Sequence, residues 1–133
     1  MTQMEILTDV RENLALAVER AALQGGGSPL LRVRVAAPET DAFRWLAAQP
    51  KGTRALWSSR GTDRVVAMSG MADVYEAGER PDFDRLSQYM THHLAGAHPS
   101  IRYYGGIRFD GGRAMSEEWS SFGSLRMVLP RFE

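Results

Sequence analysis

The stretch "TRALWSSRGTDRVVAMSGMADVYEAG", Thr53 to Gly78, decides the fold. "TRALWSS" and "RVVAMSG" both read as strands, with β-branched and aromatic residues that suit a pleated surface. Arg60-Gly61-Thr62-Asp63 between them is turn chemistry: glycine supplies the left-handed conformation and short polar side chains bond their own backbone. Two strands joined by so short a turn run antiparallel. "MADVYEAG" is expected to prolong the hairpin as a third strand.

Working outward, each flank carries helix and strand signals. Upstream, Thr40-Asp41 is a cap for a short helix with Phe43, Trp45 and Leu46, which Pro50 stops. Before it, "LLRVRV" (Leu30–Val35) alternates apolar and arginine residues, the pattern of a half-buried strand. Gly25-Gly26-Gly27-Ser28-Pro29 reads as the end of a first helix and a loop. It is no phosphate cradle, because no helix opens directly after it. That first helix has Thr8 and Asp9 as its expected caps, and Val10, Leu14, Ala17, Val18 and Ala21 as its apolar face. Downstream, Pro81-Asp82 opens a helix with Phe83, Leu86, Met90, Leu94 and Ala97 on one face, closed by Pro99. "IRYYGGIRFD" (Ile101–Asp110) alternates with period two, and Asp110-Gly111-Gly112 turns it. Gly105-Gly106 in mid-strand marks a bulge or a close backbone approach. "FGSLRMVLPRFE" (Phe122–Glu133) is the last strand, with Leu125, Met127 and Leu129 on one face. The expected architecture is α+β: a mostly antiparallel sheet with about three helices packed on it. Residues 1–133 are read as a single domain.

Composition narrows the function. The 133 residues are 44% apolar and 24% charged, with 16 basic and 16 acidic side chains. A neutral balance argues against a nucleic-acid or anionic-membrane surface, which needs a basic excess. No cysteine is present, so there is no disulfide framework, thiolate nucleophile or cysteine-ligated zinc. No leader and no membrane-spanning run is visible, which makes the expected address cytoplasmic. All but one of the basic residues are arginine, a poor general base, and Lys51 is the exception.

No catalytic constellation assembles from the residue types. His92-His93 and His98 have the wrong spacing for a helical zinc pair, and adjacent helical residues diverge by about 100°. Glu117-Glu118 is a carboxylate pair beside Trp119, but acid-base work needs a cleft and a shifted pKa. Ser58-Ser59 and Ser120-Ser121 lack the turn that exposes a nucleophile. Trp57, Tyr103, Tyr104 and Trp119 read as packing rather than a base-stacking platform. Lys51 lies between Pro50 and Gly52 in an exposed turn, where nothing depresses its pKa. The expected catalytic, cofactor-binding and metal-binding residues are therefore none.

Four short elements carry a resemblance. Gly105-Gly106-Ile107-Arg108-Phe109-Asp110, Trp119-Ser120-Ser121-Phe122 and Leu129-Pro130-Arg131 resemble a G-G-x-x-F-D strand, a W-x-x-F segment and a strand ending in L-P-R. These mark the isochorismate synthase branch of the chorismate-utilising enzymes. Gly70-Met71-Ala72-Asp73, after the Ser59-Arg60 turn, is similar to that family's G-x-A-D element. Each is short; their order over some eighty residues makes the likeness specific.

The resemblance implies that this chain is the N-terminal region of a larger enzyme. By the family pattern, the chorismate-binding half follows L-P-R. It supplies the lysine base, the glutamate acid and the glutamates that hold Mg²⁺. None of those roles carries over to residues of this chain. The full-length form would isomerise chorismate to isochorismate for menaquinone, siderophore or salicylate pathways. Sister reactions within the family yield salicylate, anthranilate or aminodeoxychorismate. The implied partner is the missing catalytic half. The terminal strand would then be left as an open edge, prone to pair with a second copy. Two other readings stand beside this one. One is a stand-alone, non-catalytic domain of the same descent that binds a partner or ligand. The other is an unrelated small α+β enzyme with a cleft built from His92, Glu117 or Asp110.

Overall fold

The computed structural model describes residues 3–24, 30–61, 63–110 and 112–133. The glycine-rich loop at 25–29, Thr62 of the first turn and Gly111 of the second lie outside them. The elements are α1 (Gln3–Leu23), α2 (Ala42–Ala48), β1 (Arg54–Ser58), β2 (Val65–Ala77), α3 (Phe83–His93), β3 (Tyr104–Ile107), a 3-10 turn (Glu117–Trp119) and β4 (Leu125–Phe132). Among the described residues this is an α+β chain with an antiparallel sheet. No helix among them is long and apolar enough to cross a membrane. The chain forms two compact units: Met1–Thr40 with Met90–Ile101, and Asp41–Tyr89 with Arg102–Glu133.

The first unit contains α1. Val10, Leu14, Ala17 and Ala21 are its half-buried stripe, while Val18 is left exposed. The helix starts at Gln3, so Thr8 and Asp9 lie inside it and cap nothing. The run Met4-Glu5-Ile6-Leu7 ahead of them is made of residues that favour helix, which outweighs the modest cost of an internal threonine and aspartate. Leu30–Val35 forms no ladder, contrary to its alternating pattern. Arg32 instead reaches across to donate from Nη1 to the Ser100 carbonyl at 3.0 Å. In the same unit the helix α3 ends at His93, six residues short of Pro99. Gly96 at φ +70° turns the chain out of helical conformation before the proline is reached.

The second unit is the sheet, in the order β1-β2-β4-β3 with every pair antiparallel. The hairpin of β1 and β2 forms as its turn residues dictate, with Arg54 opposite Ser69 and Ser58 opposite Val65. "MADVYEAG" is no separate strand; it is the second half of β2, which runs for 13 residues. The cap expected at Asp41 forms, and Asp82 at the opening of α3 caps in the same way. Asp41 Oδ1 accepts from the Arg44 amide and Asp82 Oδ1 from the Arg85 amide, each at 2.9 Å. α2 packs on β1 and β2. The terminal strand is not an edge. β4 lies between β2 and β3, and Leu125 at its start is fully buried. A non-local pairing that no hairpin announces placed it there. Ala67, Met68, Tyr75 and Leu129 complete the core.

Candidate functional site

β2 serves two ladders in succession, and the change-over is built from Gly70-Met71-Ala72-Asp73. β1 runs out at Arg54 opposite Ser69, and the Gly70 amide closes that ladder on the Thr53 carbonyl at 2.9 Å. Pairing with β4 then takes over, from Ser69 opposite Phe132 to Ala77 opposite Leu125. Gly70 has φ +70°, a left-handed conformation that costs other residues about 1–2 kcal/mol. The register slips between Met71 and Asp73: Met71 faces Pro130 and Asp73 faces Leu129, so Ala72 is an extra residue. A bulge bends its strand and sharpens the twist. The sheet therefore curls, and its two outer strands meet. Trp57 of β1 and Tyr104 of β3 stand edge to face, ring centroids 6.1 Å apart.

The concave side of this curl is a cavity of about 580 Å³, lined by Trp57, Met68, Tyr104, Phe122, Arg126 and Val128 among others. That volume is in the range of small-molecule sites, roughly 300–1,000 Å³. Its lining is mainly apolar. Arg126 is paired with Glu76 at 3.1 Å, and the Tyr104 hydroxyl donates to Glu133 Oε2 at 3.2 Å.

The four sequence elements turn out to touch in pairs. Pro130 and Leu129 pair with the Gly70–Asp73 bend, and Arg131 lies over Gly70, where an added Cβ would come 3.3 Å from Arg131 Cβ. The Phe122 ring sits on Gly106, 3.4 Å from where a Cβ would be, and Trp119 packs edge-on against Phe122 at 6.3 Å. A Cβ on Gly105 would overlap the Arg126 carbonyl. Of the two readings of the double glycine, the close approach holds, and it is made by β4 itself. Arg108 donates from Nη2 to the Arg113 carbonyl at 2.9 Å, tying down the loop after β3.

On the other face of the sheet, Asp73 gathers two phenols. Its Oδ2 accepts from Tyr89 of α3 at 2.6 Å and from Tyr103 at 2.5 Å, and the Tyr89 ring packs on Tyr75 with centroids 4.8 Å apart. Burial, and then the bond to the Asp73 carboxylate, push the Tyr89 phenol up to about 12 and the Tyr103 phenol above its ordinary value. Tyr104 is raised too, by burial first and then by Glu133. A phenol with a raised pKa is held neutral by the fold. Its contribution is complete below pH ~10, where an unfolded tyrosine titrates. It is lost as the pH climbs from there through the folded value of about 12. The chain should thus lose stability only above about pH 10 on this account. An absorbance titration at the phenolate band checks it: Tyr89 and Tyr103 should ionise late and together with unfolding, and Asp73→Asn should move them back toward pH ~10.

The side chains weighed from sequence are not brought together. His92 and His93 stack edge-on in the last turn of α3, 5.3 Å apart, and the His98 ring bonds Ser100. Glu117 and Glu118 are exposed on the 3-10 turn. The Ser120 hydroxyl donates to the Glu117 carbonyl at 2.7 Å. Ser58 and Ser121 are exposed and Ser59 is half-buried. Lys51 is exposed ahead of β1. Asp110 pairs with Arg113 at 3.5 Å on the surface. Among the described residues no three acidic or histidine side chains converge as a Mg²⁺ site would need. Sequence reasoning passed over Asp73 as a site. The available signal was a carboxylate on the inward side of a strand, in step with Tyr75, which must find donors.

Comparison with known proteins gives one result. The model of a family described as chorismate binding enzyme matches residues 17–133. The chain belongs to that family of chorismate-binding enzymes. Neither the search of curated proteins nor that of solved structures gave a match.

Proposed function

We propose that this chain is the N-terminal structural region of an isochorismate synthase, whose complete form isomerises chorismate to isochorismate with Mg²⁺. The carrying observation is the mutual packing of the four elements that resemble that branch. G-x-A-D is seated on L-P-R at the bend of β2, and G-G on the phenylalanine of W-x-x-F further along β4. Such a cluster makes rigid scaffold. The region shapes and covers the catalytic half, which brings the lysine base, the glutamate acid and the metal-binding carboxylates.

The test is turnover. Residues 1–133 incubated with chorismate, with and without Mg²⁺, should form no isochorismate by chromatography, while the protein carried to the end of its natural reading frame should form it. Isochorismate from residues 1–133 alone would overturn the assignment of the chemistry to the missing half. Anthranilate or salicylate from the longer protein would move it to a sister branch. The cavity favours one second reading, a stand-alone domain that binds a small ligand without catalysis. A reading frame that stops directly after Glu133 would select it.

A further inference from the structure

The chain leaves the compact sheet unit part-way along α3. It exits after Tyr89, runs through Met90–Ile101 in the other unit, and returns at Arg102. Both ends of this excursion are fastened to one atom. Asp73 Oδ2 accepts from Tyr89, the last residue before the exit, at 2.6 Å. It accepts from Tyr103, just past the return, at 2.5 Å.

Between those ends the excursion keeps its backbone bonds to itself. The Leu94 amide donates to the Met90 carbonyl at 2.9 Å, Ala97 to Leu94 at 3.0 Å and Ile101 to His98 at 2.9 Å. None of these three bonds reaches a sheet strand. None of residues 90–101 is fully buried, whereas the buried apolar residues Ala67, Met68, Tyr75, Leu125 and Leu129 all lie in β2 and β4. Self-contained backbone bonds and little buried apolar surface are the profile of a segment that opens by itself. Resistance to opening is then concentrated at its ends. A carboxylate accepting from a phenol makes a charge-assisted bond, stronger than a neutral one. Losing that one carboxylate frees both ends at once.

We infer that Met90–Ile101 is a strap with Asp73 as its clasp: it opens and recloses as one unit while the β2–β4 ladder stays formed. This is a conformational device of the fold itself. It does not depend on which reaction the proposed function assigns.

Amide hydrogen exchange in increasing urea, followed by NMR on the 133-residue chain, tests it. The Leu94, Ala97 and Ile101 amides should share one degree of protection that barely changes at low urea, because the opening exposes little surface. The β2–β4 ladder amides should respond steeply. Tyr103→Phe removes one donor and keeps the ring; it should speed the three strap amides about tenfold, and Asp73→Asn should speed them as well. Leu129→Val trims the sheet core instead. It should speed the ladder amides about fivefold and leave the strap amides at the parent rate. Strap amides that follow the ladder through urea, or that quicken with Leu129→Val, would mean a single global transition and overturn the inference. Strap amides that keep the parent rate in both Tyr103→Phe and Asp73→Asn would overturn it too.

Discussion

Asp73→Ala is expected to destabilise the chain by about 3 kcal/mol, since it removes two charge-assisted hydrogen bonds and strands two part-buried hydroxyls. The carboxylate joins three pieces of chain: β2 itself, α3 through Tyr89 sixteen residues on, and the approach to β3 through Tyr103 thirty residues on. No alanine methyl can replace an acceptor for two donors. Against a typical total of 5–15 kcal/mol the loss is large. Urea unfolding followed by circular dichroism measures it. Asp73→Asn keeps one acceptor oxygen and should cost about half as much, and Tyr89→Phe combined with Asp73→Ala should cost less than the sum of the two changes. An Asp73→Ala protein that unfolds at the parent's urea midpoint would show that the cluster holds nothing together.

What was legible in the sequence was local. The β1–β2 pairing, the Asp41 cap and the opening of α3 at Asp82 are decided within a few residues, and each formed as expected. The half-buried residues Leu86, Met90, Leu94 and Ala97 keep the spacing read for the third helix, although the helix itself stops early. Gly96, at φ +70°, is the local signal for that stop, three residues ahead of Pro99. The place of β4 was not legible. Its partners are β2, some fifty residues upstream, and β3, and nothing in "LRMVLPRF" says that both its sides are taken. The alternation of Leu30–Val35 specifies a face but not a partner, so pattern alone produced a strand where no ladder exists. The site followed the same rule. The order of the four motifs could be read, but that Gly70 bends the sheet and Arg131 covers the bend is a fact of three dimensions. Asp73 was noticed as the last letter of a motif, not as the acceptor for two tyrosines.

The double glycine gives the sharpest contrast between neighbours. Gly105→Ala should cost about 3 kcal/mol or more, at or above the upper end of ordinary overpacking. The added Cβ would overlap the Arg126 carbonyl oxygen and lie 2.8 Å from both Arg126 C and Met127 Cα. These are backbone atoms of a strand fixed on both sides, so no side-chain rotation relieves the clash. β3 must move instead, and its ladder to β4 is only four residues long, Tyr104 to Ile107. Displacing it carries Tyr104 away from Trp57 and opens the curl that encloses the cavity. Gly106→Ala meets only the tip of the Phe122 ring, 3.4 Å away, an ordinary contact with a side chain that can yield. It also restricts the unfolded chain, which favours the folded state by about 0.4–1 kcal/mol. The second substitution should therefore be near neutral or slightly stabilising. Thermal unfolding should place Gly105→Ala about 10 °C or more below the parent and Gly106→Ala within a few degrees of it. Tryptophan fluorescence should shift to the red in the first protein only, as Trp57 loses its partner. Equal, small shifts for both would mean that β4 does not press on β3 at Gly105, and the reason for a glycine there would have to be sought elsewhere.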